Sequence, residues 1–167
     1  MSVPEPPKLV LDTNVVLDWL VFADPAVAGL ADAIVNRRLC WLTSPAMRAE
    51  LSHMLGHASL ARWDPDSEQA LAFFDRFSHR VDDPAPAGRA PARCRDPDDQ
   101  VFLDVAWQGQ ARWLVTRDKA LLALDRRVRD AGLCIVTPTR LAWNDGGPPQ
   151  QARLTEHAND PAAPLAG

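Results

Sequence analysis

Four short apolar runs punctuate the chain, and each is followed or preceded by a segment with helical spacing. They are LVLD (9–12), LCWLTS (39–44), ARWLVTRD (111–118) and LCIVTP (133–138). Their apolar residues are contiguous rather than alternating with polar ones, the mark of strands buried on both faces of a sheet. Strands of this kind, alternating with helices across short loops, predict an α/β protein. The expected architecture is a three-layer α/β/α sandwich with a mostly parallel central sheet. Its ligands would sit beyond the carboxyl ends of the strands.

The helices read as follows. One runs through Val15 to Val21. A second opens at Asp24-Pro25, with Asp as N-cap and Pro at the first helical position, and continues to about Asn36. Ser44-Pro45 opens SPAMRAELSHMLGH, with Ser44 the expected cap. Residues 64–80 read as one helix, with Leu71, Phe74 and Phe77 at helical spacing. The stretch 82–95, DDPAPAGRAPARCR, is Pro/Ala-rich and without regular structure. RDPDDQVFLDVAWQGQ is a capped helix, DKALLALDRRVRDAG a single helix ending at Gly132, and TRLAW one further turn. Residues 1–7 are read as a flexible N-terminus and 8–143 as one domain. From residue 144 to 167 the composition is polar, Gly/Pro-rich and unpatterned, which predicts a disordered tail.

A length of 167 residues suits one domain with a real core. No apolar run reaches membrane-span length and the N-terminus lacks a signal pattern, so a cytoplasmic protein without membrane association is expected. The cysteines, Cys40, Cys94 and Cys134, are odd in number and contain no C-x-x-C, so they read as reduced thiols rather than disulfides or a zinc site. The net charge of −4 argues against wholesale electrostatic attraction of nucleic acid. A metal-loaded carboxylate cluster would reverse that sign locally.

Such a cluster is visible in the pattern. The first strand ends in Asp12, and Asp118 closes the LVTRD run. If the two strands are parallel neighbours, both acids stand on one rim. Glu50 lies on the helix after the second strand, and Asp99 in the first turn of the helix before LVTRD. Carboxylates gathered around one concavity repel unless a cation holds them. Oxygen-only ligation suits Mg²⁺ or Mn²⁺.

Five pieces in order, LVLDTNVVL, SPAMRAEL, DPDDQVFLDVA, WLVTRDKALLAL and IVTPTRL, resemble the PIN domain. More narrowly they are similar to bacterial PIN proteins that serve as toxins in toxin–antitoxin pairs. The resemblance covers about residues 8–143. It implies a Mg²⁺- or Mn²⁺-dependent endoribonuclease that cuts single-stranded RNA. It also implies a three-layer sandwich, an antitoxin protein as partner and a homodimer. Position by position, Asp12, Glu50, Asp99 and Asp118 match the family's four acids, and Thr13, Asn14 and Thr116 the polar residues beside them. Ala106, seven positions after the matching ligand, picks Asp99 rather than Asp98.

Simpler roles stand beside these. Asp118 has the residue type and place of an N-cap for DKALLAL, which is compatible with ligation. Asp96, ahead of Pro97, reads as the cap of its helix. Glu50 could belong to a polar helix face. Asp104, between Leu103 and Val105, either supports the acids or faces solvent. His53 and His57 share a helix face, but HMLGH lacks the glutamate of H-E-x-x-H, and they read as solvated or partly packed. Arg93, Arg95, Arg117 and Lys119 flank the acids as candidate RNA-backbone contacts or solvated charges. Trp41 and Trp113 sit at core positions. A haloacid-dehalogenase-like phosphatase would need an Asp where Asn14 stands, and a dinucleotide-binding module needs G-x-G-x-x-G after the first strand; neither is present. The remaining competitor is a catalytically weak PIN-like module that binds RNA or protein.

Overall fold

The structure is a computed structural model that describes residues 2–141. Five parallel strands form one sheet in the order β3-β2-β1-β4-β5. They are β1 (Lys8–Leu11), β2 (Cys40–Thr43), β3 (Ser78–Arg80), β4 (Trp113–Val115) and β5 (Cys134–Val136). Successive side chains on each strand go to opposite faces, and both faces are covered. Leu9, Leu11, Trp41, Trp113 and Val115 enter one core, packed against α1 (Thr13–Leu20), α2 (Ala28–Val35), α3 (Pro45–Leu55) and α4 (Ser67–Phe77). Val10, Leu42, Leu114 and Ile135 enter the other, beneath α5 (Gln100–Gln108), α6 (Lys119–Leu122) and α7 (Asp125–Val128). The sandwich therefore has the three layers expected from uninterrupted apolar strands. Each of Leu9, Val10 and Leu11 is almost fully buried, a contribution of about 1.5–3 kcal/mol per side chain.

Helix α3 straddles the layers. Its Leu51 and Leu55 belong to the first core, and Met47 reaches the second. It touches both α1 and α5. Trp41 anchors the first core, with its ring 4.9 Å from Phe74 and 5.6 Å from Trp19.

Two elements differ from the sequence reading. The predicted helix over 64–80 ends at Phe77, and Ser78–Arg80 forms the edge strand β3. With one neighbour and a mostly exposed face, this strand carries polar residues and no apolar signature, which is how edge strands resist further pairing. The predicted single helix over 118–132 is broken into α6, α7 and a 3-10 turn at Arg129–Ala131. At the start of α7, Asp125 is buried and its Oδ1 accepts the Ile135 amide at 2.7 Å. Its other oxygen pairs with Arg129. Tying α7 to β5 in this way sets α7 apart from α6. Similarly, Asp24 caps a short 3-10 turn (Pro25–Val27) from which α2 continues. TRLAW forms the expected turn as far as Leu141. The predicted tail, together with Ala142 and Trp143, lies outside the described residues.

Pairing register fixes a common rim. Leu9 is level with Trp41 and Trp113, Leu11 with Val115, Thr43 with Arg80, and Val115 with Val136. One residue further on, β1 presents Asp12, β2 Ser44 and β4 Thr116. All three are buried.

Candidate active site

Asp12 is where β1 turns into α1. Its amide continues the ladder to the Val115 carbonyl, and its own carbonyl accepts from Val15 and Val16, starting the helix. The side chain is thereby held at the rim with 4% exposure. Thr116, wholly buried, donates its hydroxyl to Asp12 Oδ2 at 2.7 Å. The Asp118 amide in turn donates to Thr116 Oγ1 at 3.0 Å. A relay of two hydrogen bonds thus joins the ends of β1 and β4. Burial pushes the Asp12 carboxyl up from its ordinary range; the Thr116 hydroxyl and the Thr13 and Asn14 amides oppose that, and the charge of Asp118 adds to it. The two amides act at short range without completing a side-chain cap of α1.

Asp118 has two roles in one side chain. Its Oδ1 caps α6, accepting from Ala120 at 2.7 Å and Leu121 at 3.0 Å. Oδ2 makes neither bond, which leaves it available to the cleft.

The other two acids come from helices. Glu50 is half-buried on α3. Desolvation first, then the charge of Asp12, pushes its carboxyl up to about 7; the nearby Thr13 hydroxyl lowers it, and Asp99 and Asp98 raise it. Asp99 closes the 3-10 turn Pro97–Asp99 that leads into α5. Desolvation and then the charges of Asp12, Asp118, Asp96 and Asp98 raise its carboxyl to about 6. Glu50, Asp99 and Asp118, from three other segments, therefore each lie within the field of Asp12 at one end of the sheet. Asp98 is exposed, and its amide caps onto Asp96 Oδ1 at 3.0 Å.

The donor set fits a hard divalent cation: carboxylates, with hydroxyls beside them. Burial first, and then negative neighbours, push the Glu50 and Asp99 carboxyls up, and a cation would relieve that repulsion. Among the described residues, no three acids, histidines or cysteines are drawn together into a finished metal cage. The acids stand around the rim, as like charges do.

The remaining predicted residues divide. Thr13 is buried beside Asp12, and Asn14 is exposed next to it. Asp104 neither faces solvent nor joins the acids. It is 4% exposed, and its Oδ1 accepts from the Ala90 amide at 2.9 Å and Gln100 Nε2 at 3.0 Å. Gln100 also accepts from the Cys94 amide at 2.7 Å and donates to the Ala92 carbonyl at 3.2 Å. Together they fasten the Pro/Ala-rich segment, whose Ala90 and Ala92 are buried, against α5. Gln100 was not singled out in the sequence; only its place beside Asp99 hints at it. Arg117 is held by Asp18 (2.6 Å) and Asp24 (2.9 Å), so its guanidinium braces the α1–α2 connection against the β4 end. Arg93, Arg95 and Lys119 are exposed. His53 and His57 are also exposed, and His57 Nδ1 caps the turn at Ala58–Trp63 by accepting from the Ser59 amide.

A family profile for the PIN domain matches residues 8–120, about two thirds of the chain. The chain belongs to the PIN domain family. An uncharacterized protein of Methanocaldococcus jannaschii is 27% identical over 117 residues, covering 70% of this chain and 74% of that one. Among solved structures, VapBC2 from Rickettsia felis, crystallised with a DNA fragment from its promoter, superposes with a TM-score of 0.55 and 15% identity. That match covers 78% of this chain and 98% of the other. The PIN domain endonuclease Utp24 gives a TM-score of 0.48 and 20% identity over 81% of this chain and 88% of its own. PIN domains are in general nucleases. Among the described residues, no single helix is long and apolar enough to cross a membrane.

Proposed function

We propose that this PIN domain is a divalent-cation-dependent endoribonuclease acting on single-stranded RNA, with Asp12, Glu50, Asp99 and Asp118 as its catalytic acids. The observation that carries the reading is the mutual field of these four carboxylates at the carboxyl ends of β1 and β4. Mg²⁺ or Mn²⁺ held there would acidify water and neutralise charge developing on the phosphodiester. Asp12 is oriented by Thr116, and Asp118 by the start of α6, so two acids are fixed before any ligand arrives. Glu50, pushed up to about 7, and Asp99, pushed up to about 6, would release protons when a cation binds beside them. The products would carry a 5′-phosphate and a 3′-hydroxyl, as in the related flap endonucleases. Arg95 and Lys119, exposed on the same rim, are candidate contacts to the RNA backbone.

By the resemblance to toxin–antitoxin PIN proteins, the biological role we propose is that of a cytoplasmic toxin restrained by an antitoxin protein and acting as a homodimer. The competing reading is a catalytically weak PIN module. Cleavage of end-labelled RNA with Mn²⁺, with and without chelator, separates the two. Asp99→Asn should nearly abolish cutting and Asp98→Asn should keep most of it. Equal activity of wild type and Asp99→Asn would refute the nuclease assignment at this site.

A further inference from the structure

A half-open cavity of about 540 Å³ lies at the carboxyl ends of β2 and β3, between α3 and α4. Its size is that of a small-ligand site. Helix α3 separates it from the acids: Arg48 lines the cavity, and Glu50, two positions on and so about 200° around the helix, belongs to the acidic cleft.

Most polar groups in the cavity are already matched. Arg48 grips Asp75 through Nε and Nη2 at 2.7 and 2.8 Å. Thr43 donates to Ser78 Oγ at 3.0 Å. Arg80, exposed on the edge strand, makes no side-chain hydrogen bond among the described residues and acts on Asp75 through its charge alone. Ser44 is 1% exposed and its hydroxyl has no hydrogen-bond partner. Ser44 stands where the N-cap of α3 should be, yet the Ala46 amide is taken by Asp83 Oδ1 at 2.9 Å instead. A buried hydroxyl without a partner is uncommon and unfavourable. Ser44 and Arg80 both line this nucleotide-sized hollow.

The hollow shares a rim with the acids. Register places Leu11, Thr43 and Arg80 at one level on adjacent strands. Two strand spacings, about 10 Å, therefore separate the end of β1 from the end of β3. A strand with one phosphate at Asp12 can reach the cavity across the first turn of α3. We propose that this cavity is a second subsite for the same single-stranded RNA, holding a neighbouring nucleotide with its phosphate on Arg80 and its ribose 2′-hydroxyl on Ser44. This rests on the nuclease reading above for its choice of ligand. A 2′-hydroxyl both donates and accepts, so it can satisfy Ser44 and distinguish RNA from DNA.

The test is the binding of a short fluorescent oligouridylate, and of the matching oligodeoxyuridylate, to the full chain in chelator, followed by anisotropy over a range of salt. Arg80→Ala should weaken RNA binding about tenfold and lower the slope of log K against log salt by about 0.7, the loss of one phosphate contact. Ser44→Ala should leave that slope unchanged and reduce the preference for RNA over DNA. Unaltered affinity and slope in Arg80→Ala, or no RNA binding by the wild type, would overturn the subsite. An unaltered RNA preference in Ser44→Ala would overturn the role of Ser44. Because binding is read without metal, RNA that binds through Arg80 but is never cut under Mn²⁺ leaves the subsite standing and removes the nuclease. RNA that is cut by a chain indifferent to Arg80→Ala does the reverse.

Discussion

Thr116 offers the sharpest test of how the acidic rim is built. Its hydroxyl is wholly buried, donates to Asp12 and accepts from the Asp118 amide. Thr116→Val keeps the shape and removes both bonds. A hydrogen bond to a charged acceptor contributes about 1.5–3 kcal/mol, and an orphaned buried donor adds a penalty of its own. Removing the hydroxyl should therefore destabilise the chain by about 2–3 kcal/mol. Thr116→Ser retains the hydroxyl and loses one buried methyl, a loss of about 1 kcal/mol. The measurement is urea unfolding in chelator at pH 8, well above the ordinary carboxylate range. A double-mutant cycle with Asp12→Asn isolates the bond, since the amide removes the charged acceptor. The coupling should be about 1.5 kcal/mol or more, beyond the few tenths seen between independent sites. If Thr116→Val is no more harmful than Thr116→Ser, or if the cycle closes to zero, the relay does not hold Asp12.

Other consequences can be read on the same protein. Glu50 rises from 4.5 to about 7 and Asp99 from 3.8 to about 6; the folded state then holds protons the unfolded chain has released, so in chelator stability should fall as pH rises from about 4 to about 7. Saturating Mn²⁺ should flatten that decline and Glu50→Gln should remove much of it; stability that climbs over this interval in both proteins would contradict the crowding of the acids. Millimolar Mn²⁺ should raise the melting temperature of the wild type, with a gain of about 2.7 kcal/mol at a hundredfold excess over Kd, and raise that of Asp12→Asn much less; equal shifts would place the cation elsewhere. A Cβ on Gly109 would lie 2.5 Å from Leu42 Cδ1 and 2.8 Å from the Val105 carbonyl oxygen, so Gly109→Ala should lower stability by about 1–3 kcal/mol in thermal or urea unfolding, and a neutral result would mean that α5 and β2 can part cheaply.

What could be read in advance depended on whether the signal was local. The central strands announce themselves because burial on both faces demands an unbroken apolar run, as in LVL and WLV. Asp12 follows directly, since the residue after a parallel strand is at the rim, and Asp118 lies three positions past the end of β4, beyond Thr116. The acids on α3 and before α5 needed the family pattern, because a carboxylate on a helix is usually on a solvated face. Asp98 and Asp99 are equivalent as helix-start acids. Only tertiary placement makes Asp99 half-buried and raises its carboxyl, leaving Asp98 in solvent. The edge strand β3 escaped because Ser78–Arg80 has no apolar alternation to find. Asp125 escaped, and the partners of Asp104 and Arg117 were not foreseen, for a related reason: a buried or bridged charge looks like any surface charge until its partner, 10, 14 or 99 positions away, is known.

Those three residues also explain why an acidic rim can be stable without its own counter-charge. Each lies on an element that bears one of the four proposed acids or neighbours one. Asp104 and Gln100 clamp the segment leading to Asp99 onto α5. Arg117 ties the turn between Thr116 and Asp118 to α1, the helix that Asp12 begins. Asp125 ties β5, the neighbour of β4, to the helices that follow Asp118. The mutual repulsion of Asp12, Glu50, Asp99 and Asp118 acts to push their segments apart. It is opposed by hydrogen bonds and ion pairs placed one step outside the cluster, where they do not occupy the carboxylate oxygens that face the cleft. A protein that paired the acids directly with arginine would be more stable and would have nothing left to hold a cation. The arrangement seen here keeps the oxygens open and places the restraint behind them.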